Sequence, residues 1–143
     1  MNTSLAKNSH ITNLNISYKK LKSNIKSLSD NLPKISYIKA KNVLFIKGNS
    51  TGKGIDALYE SVINTIQNHF ENADKFNLYL YIDSLNITTL KNLFVIFKIL
   101  KNHKSDGKNV KITWFFDLKN NNMMDSAFDF SDLFDLPVTV VAV

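Results

Sequence analysis

From Pro33 onward the chain alternates between two hydrophobic periods, and that alternation restricts the fold more than any other feature. Residues 76–82 are almost continuously apolar and aromatic, the pattern of a strand covered on both faces. Segments of helical period lie on either side. Ile55, Leu58, Tyr59, Val62, Ile63, Ile66 and Phe70 share one face of a helix over 55–70. Leu90, Leu93, Phe94, Phe97 and Leu100 do the same over 86–101. Strands are predicted at 35–40, 43–47, 110–116 and 137–143, and a third helix at 123–134. Lys41-Asn42 reads as a tight turn, and 48–54, 102–108 and 120–122 read as loops. Strands that alternate with helices need crossover connections, which place them parallel. The expected fold class is a single α/β domain with a mixed, mostly parallel sheet: an initial β-hairpin, then βαβαβαβ order.

Residues 1–32 differ. They are rich in Ser, Asn and Lys, yet Ile11, Leu14, Tyr18, Leu21, Ile25, Leu28 and Leu32 step by three and four down one helical face. Lys19, Lys20, Lys22 and Lys26 fall off that stripe, and Pro33 ends it. Ser and Asn compete for backbone hydrogen bonds, so such a helix is marginal by itself. The division expected is a basic, heptad-patterned N-terminal arm over 1–32 and an α/β domain over 33–143. The arm suits packing on its own domain, docking or homodimerisation, or lying on a membrane surface.

Charge follows the same division. Residues 1–54 carry a net +9 and residues 55–143 a net −3. All 18 basic residues are lysine. Arginine is the usual source of bidentate base contacts, so the basic character is a poor footprint for nucleic acid. Disulfides, thiolate metal sites and cysteine nucleophiles are excluded, because the chain has 0 cysteines. The apolar run 93–100 is broken by Lys98 and is far shorter than the roughly 20 residues of a membrane span. The N-terminus lacks a signal-peptide pattern, and the expectation is a cytoplasmic protein.

Few motifs suggest chemistry. The run 48–54 has a phosphate-loop look, but three residues separate Gly48 from Gly52 and Gly54 follows Lys53, where Walker A needs four and a hydroxyl residue. His10, His69 and His103 have no partner at metal-ligand spacing and read as surface residues. Asp125, Asp129, Asp132 and Asp135 read as a solvated helix face. No nucleophile, base and orienting group come together by spacing, so no catalytic residue, metal site or cofactor is expected.

The segment 83–91, Asp-Ser-Leu-Asn-Ile-Thr-Thr-Leu-Lys, carries more. It joins the central strand to the second helix, with Asn86 as N-cap and Thr88 and Thr89 in the first turn. Unpaired N–H groups and the positive end of the helix dipole favour a phosphate there. Such a phosphate would add nearly two negative charges to the surface.

Three blocks, in order, point to a family. Gly48-Asn49-Ser50 follows the second strand, Leu85 to Lys91 follows the central one, and Trp114-Phe115-Phe116-Asp117 lies on the next, with Phe130 and Leu136-Pro137 beyond. Over about residues 33–143 the chain resembles the SiaC family of bacterial regulatory phosphoproteins, which are similar to STAS-type anti-sigma-factor antagonists. The resemblance implies a STAS-like fold and a non-enzymatic signalling adaptor in a partner-switching circuit. A kinase would phosphorylate, and a phosphatase dephosphorylate, a hydroxyl at the start of the helix. The unmodified form would bind an effector, in some systems a diguanylate cyclase. Two positions depart from the family pattern. Ile87 stands where the usual acceptor Thr would be, and Thr51-Gly52-Lys53 replaces an aromatic-Pro-Glu.

The phosphoacceptor candidates are therefore Thr88 and Thr89, and the partner-binding candidates Ser84, Asn86, Ile87 and Lys91. The partners implied are a Ser/Thr kinase, a phosphatase and an effector such as a diguanylate cyclase. Two other classes stay open on the residues alone: a nucleotide- or nucleic-acid-binding module using the lysine-rich front, and a structural homodimer held by the arm.

Overall fold

The structure is a computed structural model that describes residues 31–143. The arm stripe at residues 11–28 lies outside the described residues, as does His10; the last stripe member, Leu32, lies inside and packs against the main core. The elements are β1 (Lys34–Ile38), a 3-10 turn (Lys39–Lys41), β2 (Val43–Ser50), α1 (Ile55–Asn72), β3 (Lys75–Leu85), α2 (Ile87–Ser105), β4 (Asn109–Phe116), α3 (Asn121–Phe134) and β5 (Val138–Ala142). One sheet holds the strands in the order β1-β2-β3-β4-β5. β1 pairs antiparallel with β2, and the remaining pairings are parallel. This is the mixed α/β sheet the alternation predicts, with the near-continuous apolar strand at its centre.

Differences from the sequence reading fall at element ends. The first connection is a single 3-10 turn followed by Asn42 at φ 58, a left-handed conformation that asparagine tolerates better than most residues. β2 extends through Gly48, Asn49 and Ser50, so those residues are strand and the loop is only 51–54. β3 likewise runs on to Leu85. α2 continues through residues 102–105 because His103 stacks on Phe70 of α1 at 3.9 Å, tying down the last turn. Gly107, at φ +92, then supplies the left-handed stop.

His69 is not a surface residue. It sits three residues beyond Ile66 on the inward stripe of α1 and is 3% exposed. Its Nε2 donates to the Lys75 carbonyl at 2.8 Å, so Nδ1 is the acceptor of the hydrogen bond that the Tyr37 hydroxyl donates at 2.5 Å. His103 is half-buried, and burial lowers its pKa. Phe94 also departs from expectation. The inward face of α2 is Leu93, Ile96, Phe97 and Leu100, which leaves Phe94 45% exposed at its edge. The acidic residues of α3, Asp125, Asp129 and Asp132, are exposed, as is Asp135 beyond it.

The helices pack on one face of the sheet, against Leu44, Ile46, Leu78, Leu80, Ile112 and Trp114. A second, smaller cluster on the opposite face holds Val43, Phe45, Phe115 and Val141, with Ile38, Tyr79 and Tyr81 against it.

Candidate functional site

Three connections meet at the carboxyl ends of the parallel strands, where open α/β sheets place their sites. They are 51–54 after β2, Asn86 after β3, and 117–120 after β4. Asn120 Nδ2 donates to the Asp83 carbonyl at 3.0 Å, joining the last two. Asn86 Nδ2 faces the Thr51 carbonyl at 3.4 Å, joining the first two.

Asn86 is the N-cap of α2, as its position predicts. Its backbone is extended and its Oδ1 accepts from Thr89 N at 2.9 Å. Leu90 N then bonds the Asn86 carbonyl at 3.0 Å, so the N–H groups of Ile87 and Thr88 remain without a helical partner. No acidic side chain occupies this first turn.

The predicted hydroxyls separate sharply. Thr89 is fully buried, and its Oγ1 donates to the Ser50 carbonyl at 2.6 Å. That bond uses its one proton, so Ser50 Oγ, 2.8 Å away, must donate to Thr89 Oγ1. Tyr59 Oη, 3.0 Å from Ser50 Oγ, donates in turn. A directed chain from Tyr59 through Ser50 to Thr89 thus fastens the start of α2 to the end of β2 and to α1. Thr88 is half-buried, and Ile87 beside it is 69% exposed. Among the described residues Thr88 Oγ1 makes no hydrogen bond; the Thr88 carbonyl accepts from Asn92 Nδ2 at 3.0 Å, and that amide also reaches Asp56 at 3.1 Å. Ser84 is exposed and donates to Asn49 Oδ1 at 3.0 Å, an oxygen that also accepts from Thr51 Oγ1 at 2.7 Å. Lys91 is exposed one turn further along.

Sequence reasoning missed two parts of this region. Ser50 and Tyr59 were legible only as strand-end and helix-stripe residues. The other part is an apolar groove of about 480 Å³ between α2 and α3, lined by Leu90, Phe94, Val95, Phe130 and Leu133, with Lys91 and Asp129 on its rim. Its signal was present in the surplus apolar residues of α2 and α3 that one inward face cannot absorb. Ile87, Phe128 and Leu133 extend the exposed apolar surface. Among the described residues no group of His, Cys, Asp and Glu is arranged to hold a metal. No described helix is long and apolar enough to cross a membrane.

Burial pushes the Tyr59 hydroxyl up from 10.0 to about 12, against the opposing effect of Ser50. The unfolded chain loses this proton first, so its contribution to stability is complete below pH 10.0 and is lost as pH rises toward about 12. That rise corresponds to roughly 2–3 kcal/mol. Denaturant unfolding across this range is expected to show the fall, and Tyr59→Phe to remove its largest single part. An unchanged slope in Tyr59→Phe would place the effect elsewhere. Tyr81 is also pushed up to about 12, by burial first and then by the Asp117 carboxylate it donates to at 2.8 Å and the charge of Asp83. It is more exposed than Tyr59 and contributes less.

Comparison with known proteins agrees with this fold. The family model described as SiaC family regulatory phosphoprotein matches residues 25–143, beginning inside the arm. No curated protein matches the chain. Among solved structures, the crystal structure of diguanylate cyclase SiaD in complex with its activator SiaC from Pseudomonas aeruginosa contains a chain similar at TM-score 0.77 and 20% identity, covering 81% of this chain and 96% of that one. Apo-SiaC from Pseudomonas aeruginosa is similar at TM-score 0.75 and 20% identity, covering 81% and 95%.

Proposed function

The chain belongs to the SiaC family of regulatory phosphoproteins, and from that premise we propose that it is a non-enzymatic cytoplasmic adaptor whose partner reads the start of α2 and the groove beside it. The effector is a protein of the diguanylate cyclase class, as for the SiaC activator in the complex with SiaD. Thr88 is the phosphoacceptor, written by a Ser/Thr kinase and erased by a phosphatase. Ser84, Asn86, Ile87 and Lys91 frame it.

One observation carries the reading: the first turn of α2 presents a single accessible hydroxyl, Thr88, directly beside an exposed apolar groove. Thr89 is committed to the Tyr59–Ser50 chain and is closed to a kinase in the folded protein. Phosphate on Thr88 would meet the free N–H groups of the turn, which stabilise it by about 0.3–1 kcal/mol. It would also place nearly two negative charges against a surface otherwise suited to apolar contact. An apolar lining favours a protein partner over a polyanion.

The test is binding of the full chain to a diguanylate cyclase from its own cells, measured by calorimetry. Thr88→Ala is expected to bind as the parent does and Thr88→Glu at least about tenfold more weakly, a cost of about 1.4 kcal/mol. Leu133→Ser, on the exposed groove rim, is expected to weaken binding as well. Equal affinity in all three variants would remove both the gate and the docking face.

A further inference from the structure

The sheet has two outer edges, and they are built differently. β1 carries Lys34, with Lys39 and Lys41 just beyond it, the kind of charge that keeps an edge from pairing. Residues 136–143 hold no charged side chain, and β5 itself reads Val-Thr-Val-Val-Ala. Among the described residues β4 is the sole neighbour of β5. Val143 N donates to the Phe116 carbonyl at 2.9 Å, which fixes the alternation along the strand. Thr139, Val141 and Val143 turn their backbone groups toward β4, and Val138, Val140 and Ala142 turn theirs outward. Ala142 is exposed, and Val138 and Val140 are half-buried.

An apolar helix flank overhangs this edge. α2 packs between α1 and α3, and α3 rests mainly on β5. Asp129 and Leu133 face α2 across the groove, so Met124 and Phe128, one turn apart on the other side of α3, look out beyond β5. Phe128 is 50% exposed and belongs to neither hydrophobic cluster.

We propose that β5 pairs antiparallel with β5 of a second copy of this chain, on a two-fold axis through Val140. The edge is complementary to itself in that register. Val140 exchanges both backbone bonds with Val140 of the second copy, and Val138 does so with Ala142 of the second copy. Between them Thr139 lies opposite Val141. Every facing pair is apolar or hydroxyl-bearing, so no like charges meet on the strand, and β-branched pairs of this kind are favourable. Val138 and Val140 pack against the helix-side core and are only half-buried, and the second copy completes their burial. Directly opposite residues of an antiparallel pair share a face. Both helix layers therefore lie on one side of the continuous sheet, and Phe128 of each copy approaches the seam. A foreign strand would have to bring this complement of side chains, whereas a second copy already carries it. The exposed Asp125 and Asp132 flank Phe128, so the seam gathers like charge on its outer surface. Salt screens that repulsion and tightens the pair, where it would loosen a basic foreign strand. The inference does not rest on the partner-binding reading.

Sedimentation of the full chain is expected to show a reversible monomer–dimer equilibrium that shifts toward dimer as salt rises. Val140→Pro removes only an outward N–H, a change that an edge strand tolerates. It is expected to keep the parent's circular dichroism and to weaken association at least about tenfold. Phe128→Asp, at an exposed position, should weaken association without touching the strand. The chain contains 0 cysteines, so Thr139→Cys gives a single exposed site for a nitroxide that reports the register. Across the seam two such positions are about 8–9 Å apart by strand geometry. Their electron paramagnetic resonance spectrum should broaden, and sharpen again when unlabelled chain is mixed in. A label at Lys34→Cys, on the guarded edge, should stay sharp. Should Val140→Pro fail to fold, Phe128→Asp and the Thr139 label decide alone. A full chain still monomeric at about 1 mM would overturn the proposal. So would a dimer that neither variant weakens, one that salt loosens, or one whose Thr139 labels stay sharp, since the copies would then meet through another surface.

Discussion

Thr89→Glu is expected to unfold the protein, whereas Thr88→Glu leaves its folding intact. The two threonines are neighbours in sequence, and propensity does not distinguish them. Thr89, however, has no exposed surface, and its hydroxyl is an interior link between Ser50 Oγ and the Ser50 carbonyl. A glutamate there would bury a carboxylate beside a carbonyl oxygen. It would also strip two groups of their partners. Burying an unpaired charge costs several kcal/mol after relaxation, comparable with the roughly 5–15 kcal/mol that holds a domain together. Thr89→Val, which only removes the hydroxyl, is expected to cost about 1–3 kcal/mol for the groups left unsatisfied. Thr88→Glu adds a negative charge to the first turn of α2, where it is favoured by a few tenths of a kcal/mol to about 1 kcal/mol. Urea denaturation followed by circular dichroism separates the cases. A cooperative transition for Thr89→Glu at the position of the parent would show that the chain from Tyr59 to Thr89 does not hold α2 in place.

Phe97→Ala is expected to lower folding stability by about 3–5 kcal/mol. Phe97 is fully buried where α2, α3 and the sheet meet. Its ring centroid lies 4.9 Å from Phe130, 5.8 Å from Phe134 and 6.1 Å from Trp114. Truncation removes the contact that sets the spacing of α2 and α3, and so widens the groove above it. Phe94, three residues earlier, makes the informative contrast. It is about half exposed and meets Phe134 edge-on at 4.8 Å. Phe94→Ala is expected to cost under about 1.5 kcal/mol of stability while weakening partner binding. Comparable losses of stability in the two variants would mean that the groove is core rather than docking surface.

The parts of this molecule written in local periodicity were legible in its sequence. Period-two and period-3.6 patterns located the five strands and three helices of the described residues, and Asn86 identified itself as a cap because few residue types serve there. What local pattern could not show was pairing across distance. His69 looked solvent-facing until Tyr37, 32 residues away, was seen to donate to it. Thr89 and Thr88 looked equivalent until Ser50, 39 residues from Thr89, claimed one of them. The α2 continuation past Lys101 depended on a ring stack to Phe70 that no window of sequence contains. The groove escaped for another reason: apolar residues on an amphipathic helix are assigned inward by default, and Phe94 and Leu133 are on the outside.

The irregular pairing of β2 with β3 leaves one residue over at the carboxyl end of β3. Pairing runs from Gly48 with Ile82 to Asn49 with Ser84, so Asp83 is an extra residue on β3. Side chains alternate faces along a strand, and one added residue inverts the parity of all that follow. Ile82 and Leu85, three apart, both reach the helix-side core as a result. Removing Asp83 would close the bulge and leave Leu85 two residues after Ile82, still on the helix-side face. What the extra residue adds is its carbonyl, which accepts from Asn120 Nδ2 at 3.0 Å and ties the end of β3 to the connection after β4.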